Sequence, residues 1–211
     1  MQLQHPLWRW PVVSLMAVGL LTVAAALTAL LFWGLFYAHW DYPPVERIVN
    51  VFPIPAARFG DRIILYRDYF RDVRTVERYL SSEEAKSVYV ARPLVPDDRK
   101  NVLERLIREA ALQELAAIRR VQVTDEQIKA ATDEIIGAVT STQEFERLLS
   151  DNYGWKIADF QSHIIKPLLL TRLLTAVYAV DHGGDPQALE RYLMERVQRP
   201  DVVRYLKFKS S

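Results

Sequence analysis

The sequence predicts a mainly α-helical protein, with an amino-terminal transmembrane helix followed by a helical bundle that carries a small β-sheet. Three observations predict this class. Residues 11–38 contain no charged side chain, which is typical of a membrane-spanning helix. From Asp68 onward, apolar residues recur every three or four positions, the spacing of amphipathic helices. Residues 56–65 and 202–208 instead alternate apolar and polar side chains, as strands do.

The apolar segment 11–39 is predicted to be an uncleaved signal anchor that follows a cytoplasmic amino terminus, 1–10. Tryptophan, tyrosine and phenylalanine lie at both of its ends, as in the aromatic belts of membrane proteins: Trp8, Trp10, Trp33, Phe36, Tyr37 and Trp40. A cleaved signal peptide is the alternative, because the small residues Ala24–Ala26 resemble a cleavage site. The apolar run continues past them, which favours the anchor. Arg9 and Arg47 flank the segment on opposite sides, so positive charge sets no orientation.

Residues 40–55 are predicted to form a proline-rich stalk, since prolines favour extended backbone over helix. The next residues, "AARFGDRIILY", predict a hairpin around the Gly60-Asp61 turn, with Phe59, Ile63 and Leu65 on one face and Ile64 on the other. A helix is expected over 68–80, and Ser81 with Glu84 predicts a second, short helix.

The clearest helix covers 97–120, with an apolar stripe predicted to form its core face: Val102, Leu103, Leu106, Ile107, Ala110, Leu115 and Ile118. Thr124 with Gln127 forms a capping box that predicts the start of the next helix, and Ser141 with Glu144 predicts the start of a third. The turns between these helices are short, so the helices must pack against one another.

Residues 155–180 predict one long helix that Pro167 kinks near Ile164–Lys166. Residues 181–185, "DHGGD", predict a linker. A last helix is expected to start at Pro186, and "VVRYLKF" has the composition of a strand.

The order of these parts resembles the amino-terminal chaperone domain of the SurA family. The resemblance rests on the hairpin, on the leucine and isoleucine spacing in 103–112, on the Thr-Asp-Glu-Gln-Ile start at 124–128, and on the Lys166-Pro167 pair. It covers about residues 56–180. In this family, and in PrsA-type foldases, a parvulin prolyl-isomerase domain follows the long helix. In SurA, a helix and a strand then return to the amino-terminal domain.

The resemblance implies a chaperone domain over 56–211 whose isomerase insert is missing. The linker 181–185 stands where the insert would be, and 186–208 would supply the returning helix and strand, which would pair with the hairpin. A parvulin domain requires on the order of a hundred residues, so isomerase activity is not expected. The resemblance also implies an extracytoplasmic domain on a single-pass bacterial membrane anchor.

The sequence contains none of the common catalytic motifs and no cysteine, so no catalytic residue, cofactor or metal is predicted. The mixed charge, with a net value of +1, argues against a nucleic-acid partner. Asp181 and Asp185 are too few to form a cation site, and His163 is expected to have no catalytic role.

Binding is therefore the expected activity. The predicted partners are unfolded or newly translocated polypeptides, with the bilayer contacted through 11–39. Apolar and aromatic residues are candidates for a polypeptide-binding groove, although packing in the core is the favoured alternative for each of them. The candidates are Tyr66, Tyr69, Phe70, Tyr79, Tyr89, Trp155, Phe160, Tyr178, Tyr192 and Met194. The alternative function is an interaction scaffold for one dedicated folded partner. The sequence leaves the oligomeric state open.

Overall fold

The computed structural model describes residues 10–38, 43–139 and 141–208, with side chains described from Leu20 onward except at Pro43 and Val139. Two compact units divide the chain, Met1–Tyr42 and Pro43–Ser211. The second unit is mainly helical and contains a small antiparallel sheet.

The elements follow one another along the chain in this order: α1 Trp10–Phe36, α2 Pro43–Val51, β1 Pro55–Phe59, β2 Arg62–Leu65, α3 Tyr66–Leu80, α4 Glu83–Ser87, α5 Pro96–Arg119, α6 Asp125–Val139, α7 Thr142–Tyr153, α8 Ile157–Phe160, a π-helical turn Gln161–Ile165, α9 Lys166–Asp181, α10 Ala188–Arg196 and β3 Val202–Arg204.

Helix α1 belongs to the first unit. It has 27 residues and no acidic or basic residue in its terminal turns. Leu20, Leu21, Val23, Leu27 and Leu30 are exposed on it. His39 at the end of the predicted anchor, and the flanking Trp8 and Trp40, lie outside the described residues.

Two helical stretches of the described chain are notably apolar. Ile157–Asp181 is long and apolar enough to cross a membrane by length and composition, and Leu20–Phe36 is a shorter apolar helix. The later stretch packs within the second unit, because α9 contacts α5 and α10 and buries Leu170, Leu174 and Tyr178. The core accounts for only part of its apolar character, because only 17% of the apolar window is buried and Leu168, Val177 and Val180 remain exposed.

The predicted extended stalk is wrong over Pro43–Val51, where the chain forms the helix α2. Both prolines lie in the first helical turn, where a missing backbone N–H removes no helical hydrogen bond. Val45 and Val49, one turn apart, are 2% and 1% exposed, so α2 packs on the domain through one face. The domain therefore begins at Pro43 rather than at Ala56.

The sheet has the strand order β2-β1-β3, so the predicted hairpin and the predicted return of the last strand are both confirmed. In the antiparallel β1–β3 pair, Ala57 lies opposite Arg204 and Phe59 lies opposite Val202. Gly60 turns the hairpin at φ 56°, in the left-handed region that favours glycine. The predicted grouping of Phe59 with Ile63 on one face is wrong, because Phe59 and Ile64 are 3% and 8% exposed whereas Ile63 is 56% exposed.

Helix α5 runs through the centre of the domain and contacts α3, α9, α10 and β1. Leu103 and Ile107 are completely buried. The predicted stripe is wrong at Ile118, which is 65% exposed. Leu106 is half-buried, while Leu112 is 5% exposed, because the neighbours of α5 cover more than one face of this helix.

Local capping explains where several helices begin. The backbone N–H of Thr124 donates to Gln127 Oε1 at 2.9 Å, and the N–H of Gln127 donates to Thr124 Oγ1 at 3.3 Å, which confirms the predicted capping box. Ser141 caps α7 through the N–H of Glu144, as predicted. The cap of α4 is Ser82 rather than Ser81, since the Ser82 hydroxyl accepts from the N–H of Ala85.

Arginine–carboxylate pairs fasten the last helix and strand to the centre of the domain. Arg204 donates from two nitrogens to Glu104 of α5, at 2.6 and 2.7 Å. Arg108 of α5 pairs with Glu190 of α10. Helix α10 begins at Ala188, so the predicted start at Pro186 is wrong; Pro186 lies in the turn that precedes it.

We expect removal of residues 200–211 to expose the hairpin. The N–H of Gly60 donates to Asp201 O at 3.2 Å, and the N–H of Tyr205 donates to Ala56 O at 3.1 Å, so both bonds are lost with β3. Amide hydrogen exchange at Gly60 should accelerate by about tenfold or more. A chain that lacks only 209–211 is the control and should exchange as the full chain does. Unchanged exchange at 55–65 after the longer truncation would contradict the pairing.

Leu103→Ala should lower the free energy of unfolding of the 43–211 domain by about 2–5 kcal/mol, because the side chain is fully buried. Ile118→Ala, on the same helix but 65% exposed, should change it by less than about 0.5 kcal/mol. Urea unfolding followed by circular dichroism measures both. Equal losses for the two variants would show that the buried face of α5 is misassigned.

Acid should weaken the attachment of α10 through Glu190. The hydrogen bond from Arg108 lowers the pKa of Glu190 below its usual 4.5, so the stabilisation is complete above pH 4.5 and disappears as the pH falls through the lowered pKa. Because the pair is partly exposed, the effect is at most about 0.5 kcal/mol. Glu190→Gln should flatten the fall in urea midpoint between about pH 5 and 3. Glu195→Gln, at an exposed position of the same helix, should leave that slope unchanged.

Candidate polypeptide-binding surface

The π-helical turn Gln161–Ile165 interrupts the long helix directly before Pro167. Proline has no N–H and its ring collides with the carbonyl four residues earlier, so regular α-helical bonding cannot continue through this point. The sequence predicts a deviation at this place, and the structure shows its form, a π-helical turn. Ile165 is completely buried and fixes the turn to the core.

An open groove of about 1130 Å³ lies between α6 and the α8–π-turn segment. Ile128, Ile136, Ile157 and Ala158 supply its apolar walls. Gly137 also lines it, and a Cβ built on Gly137 would meet no atom within 4 Å, so the groove is open at this point. These isoleucines are only half-buried and keep apolar surface available.

A buried threonine holds the two sides of this groove together. Thr132 is 2% exposed and donates to Ile128 O at 2.7 Å, while Gln161 Nε2 donates to Thr132 Oγ1 at 3.3 Å. On the rim, Lys129 and Asp133 pair at 2.5 Å. With Asp125 and Lys166 also present, the charged side chains that line the groove balance, so its net charge gives no preference for an acidic or a basic partner.

A second groove, of about 550 Å³, lies on the other side of the π turn, between α5 and α9. Leu112, Val121 and Leu170 line it. Ser162 and Lys166 line both grooves, so the π turn separates two open surfaces that an extended chain could contact together.

A row of stacked aromatic rings ends at His163 of the π turn. Tyr79 stacks on Tyr153 with centroids 5.2 Å apart, Tyr153 on Trp155 at 5.3 Å, and Trp155 on His163 at 5.4 Å. Trp155 Nε1 donates to Thr75 Oγ1 at 3.2 Å, which fixes the indole. Burial raises the pKa of Tyr153, with smaller contributions from Tyr79 and Glu84, so its phenol stays neutral.

These rings line a cavity of about 220 Å³ together with Val76 and Ile164. An adjoining cavity of about 600 Å³ shares Trp155 and His163 and is lined by arginines that follow one another along one side of α3: Arg67, Arg71, Arg74 and Arg78. Acidic residues are interspersed, since Asp68 lies 3.4 Å from Arg71 and Glu77 lies 2.8 Å from Arg74.

Three predicted binding residues belong to the core. Tyr66, Tyr69 and Phe70 are 1%, 1% and 4% exposed, and their rings pack on one another at the start of α3. Their burial favours the core alternative over a groove, although Phe70 also lines the cavity of about 600 Å³. Their spacing marks a buried helix face, which aromatic residues fill as readily as they line a groove.

The other predicted residues lie in separate places. Tyr79 and Trp155 line the ring cavity. Phe160 packs edge-on against Phe145 at 5.1 Å. Tyr178, 9% exposed, packs against Tyr192 at 5.4 Å, and Met194 is 50% exposed on α10. The structure therefore brings Tyr79 near Trp155 through Tyr153, and Tyr178 near Tyr192, but it does not gather the predicted residues into one groove.

The sequence predicts an apolar core stripe on α6 that consists of Ile128, Ala131, Ile135 and Val139. Of the isoleucines that line the groove, only Ile128 belongs to that stripe, and it is half-buried; Ile136 and Ile157 lie outside it. The sequence does contain one sign of this groove, because α6 has more isoleucine residues than one buried stripe requires. His163, which the sequence treats as without a role, lines three of the cavities.

Within the described residues, no group of three or more His, Asp or Glu side chains could hold a metal ion. No family model matches the chain, and neither a curated protein nor a solved structure matches it. The geometry of the surface is therefore the basis for any functional assignment.

Proposed function

We propose that this chain is a membrane-anchored, extracytoplasmic holdase that binds unfolded or newly translocated polypeptides without catalysing their isomerisation. In this proposal α1 is a single-pass anchor with a cytoplasmic amino terminus, and Pro43–Ser211 is a SurA-like chaperone domain without a parvulin insert. The lack of charge in α1 and the exposed leucines along it support the anchor. The orientation follows from the family resemblance alone.

The observation that carries the proposal is the open groove between α6 and the α8–π-turn segment. Its half-buried isoleucines provide apolar contact area, and its balanced charges impose little sequence preference on a client. A holdase requires this combination, because unfolded chains share apolar side chains but no common charge pattern. The second groove across the π turn lengthens the surface available to an extended segment.

The topology supports the family part of the proposal. The turn after α9 is short, with Gly183 and Gly184 at positive φ, and α10 and β3 then return to β1. The resemblance implies this return for a SurA-type domain, with the isomerase absent between the two parts. Tethering would raise the local concentration of the domain where clients emerge, so weak contacts suffice.

A substitution that fills the groove tests the holdase function. Gly137→Trp should add a ring at the lining of the groove, where a Cβ meets no atom within 4 Å. Suppression of aggregation should then require several-fold more protein for at least two unrelated unfolded clients. The matched control is Ala138→Trp, which adds the same ring at an exposed position of α6 outside the groove lining. Equal suppression by both variants would contradict the groove as the client site.

A scaffold for one folded partner is the second candidate function. The cavity of about 220 Å³ that the stacked rings line adjoins the cavity lined by the arginines of α3. This arrangement favours a scaffold function, because fixed aromatic rings next to charged groups suit one defined partner surface. Stoichiometric capture of a single protein that Trp155→Ala abolishes, with no general suppression of aggregation, would select this function. Prolyl isomerisation measured with the chain should proceed at the uncatalysed rate under either function.

A further inference from the structure

The outer face of α9 exposes apolar side chains along most of its length. Leu168, Val177 and Val180 are 40%, 39% and 80% exposed, and Ala176 is also exposed. Only 17% of the apolar window within Ile157–Asp181 is buried inside the structure. A continuous apolar face rarely stays open on a folded domain unless a partner covers it.

The buried positions of α9 define which side of this helix faces outward. Leu170, Leu174 and Tyr178, spaced four residues apart, face the core. Four exposed residues with the same spacing form an outer row on the opposite side of the helix: Leu168, Arg172, Ala176 and Val180. The outer row is about 18 Å long at a rise of about 1.5 Å per residue. None of its members lines either groove beside the π turn or the cavities beside the stacked rings.

The shape of this face suits contact with another α-helix. Residues four apart form ridges on a helix, and the outer row runs beside a second ridge of Leu169, Leu173 and Val177. A ridge of another helix fits the groove between two such ridges, which is the most common packing of helices in globular proteins. An extended chain could not add to α9 as a strand, because the backbone groups of a helix are already bonded within it.

One positive charge lies within the outer row. From Pro167 to Val180, Arg172 is the single charged residue of the sequence. It is exposed, and no residue of the described chain forms an ion pair with it. The charged residues that flank this stretch have other contacts, because Lys166 lines both grooves and Asp181 pairs with Arg119 at 2.5 Å. A partner that places one carboxylate opposite Arg172 therefore complements this face.

The same charge disfavours a second copy of this chain as the partner. In a twofold-symmetric contact between two α9 helices, both copies present the same residues around the symmetry axis. Arg172 lies near the middle of the outer row, so a contact centred on this row brings two guanidinium groups close together. The row contains no carboxylate that could offset them, and like charges across an interface oppose association.

We propose that the outer row of α9 is a docking surface for an amphipathic α-helix of another protein, one that carries a carboxylate within its apolar face to pair with Arg172. Apolar packing would supply the contact area, and the ion pair would select the register of the bound helix. The surface lies apart from the grooves assigned to clients, so this inference goes beyond the proposed function and does not require it.

Synthetic helical peptides test the docking on the full chain in detergent. Each fluorescent peptide matches the outer row in length and carries leucine and alanine on one face, with glutamate, glutamine or lysine at its centre. Fluorescence anisotropy should show several-fold tighter binding of the glutamate peptide than of the lysine peptide. Arg172→Glu should reverse this order. The matched control is Arg147→Glu, at a side chain that is 66% exposed on α7, and it should leave the order unchanged.

The lack of native cysteine allows a second measurement, of where the peptide binds. Val180→Cys should form a disulfide with a cysteine near one end of the glutamate peptide. Val51→Cys, 75% exposed on α2, should not form one. Ala176→Lys places a long, charged side chain in the middle of the outer row and should reduce the crosslink at Val180→Cys several-fold.

Three results would overturn the inference. The first is a lack of peptide binding, or equal binding of the three peptides to the parent chain and to Arg172→Glu. The second is crosslinking of equal extent at Val180→Cys and Val51→Cys. The third is a disulfide between two copies of the Val180→Cys chain that the peptide does not displace, which would identify a second copy as the occupant.

Discussion

The buried guanidinium of Arg196 holds together parts of the domain that are far apart in sequence. Its side chain is 5% exposed and donates to both carboxylate oxygens of Glu114 on α5, at 2.7 and 2.9 Å, and to Asp201 before β3 at 3.1 Å. It also lies over the ring of Phe59 in β1, 4.1 Å from the centroid. The two carboxylates raise the pKa of Arg196 above its usual value, so the charge is permanent.

This one side chain therefore connects α10, the segment before β3 and α5. Detachment of α10 would break its bonds to both carboxylates, and detachment of β3 would remove the bond to Asp201, so loosening either part loses several contacts at once. The last helix and strand therefore act as part of the bundle rather than as a tail. The same closure keeps β1 in the middle of the sheet, with strands on both sides, and leaves α6, α8 and the π turn free to form the proposed binding surface.

The sequence predicts elements that are specified locally. The capping boxes at Thr124 and Ser141 involve residues three apart, and the Gly60 turn needs only its own backbone preference, so the sequence indicates all three. The return of β3 follows from its alternating pattern together with the family resemblance. Helix α2 was missed because Pro43-Pro44 reads as a helix breaker, although prolines in a first turn permit a helix.

The candidate site was less predictable because it depends on what the tertiary structure leaves uncovered. Tyr66 and Tyr79 lie on the same helix and are equally aromatic, yet one is buried at the sheet and the other lines a cavity. The isoleucines of α6 resemble a core stripe in the sequence, but in the structure the π turn and α7 contact this helix and leave Ile128 and Ile136 only half-buried. Sequence periodicity identifies the apolar face, but the neighbours determine how much of it stays accessible.

The turn between α9 and α10 has a consequence for how this architecture can change. A Cβ on Gly183 or Gly184 would meet no atom within 4 Å, and the Gly184 N–H donates to Ala179 O at 2.7 Å to finish α9 before the chain moves on. Because loop-closure entropy grows only slowly with length, a guest domain with adjacent termini could be spliced here while Arg196 still fastens α10 and β3 to the bundle. Insertion or loss of a domain at this turn would therefore change the activities of the protein without changing the packing of the helical domain.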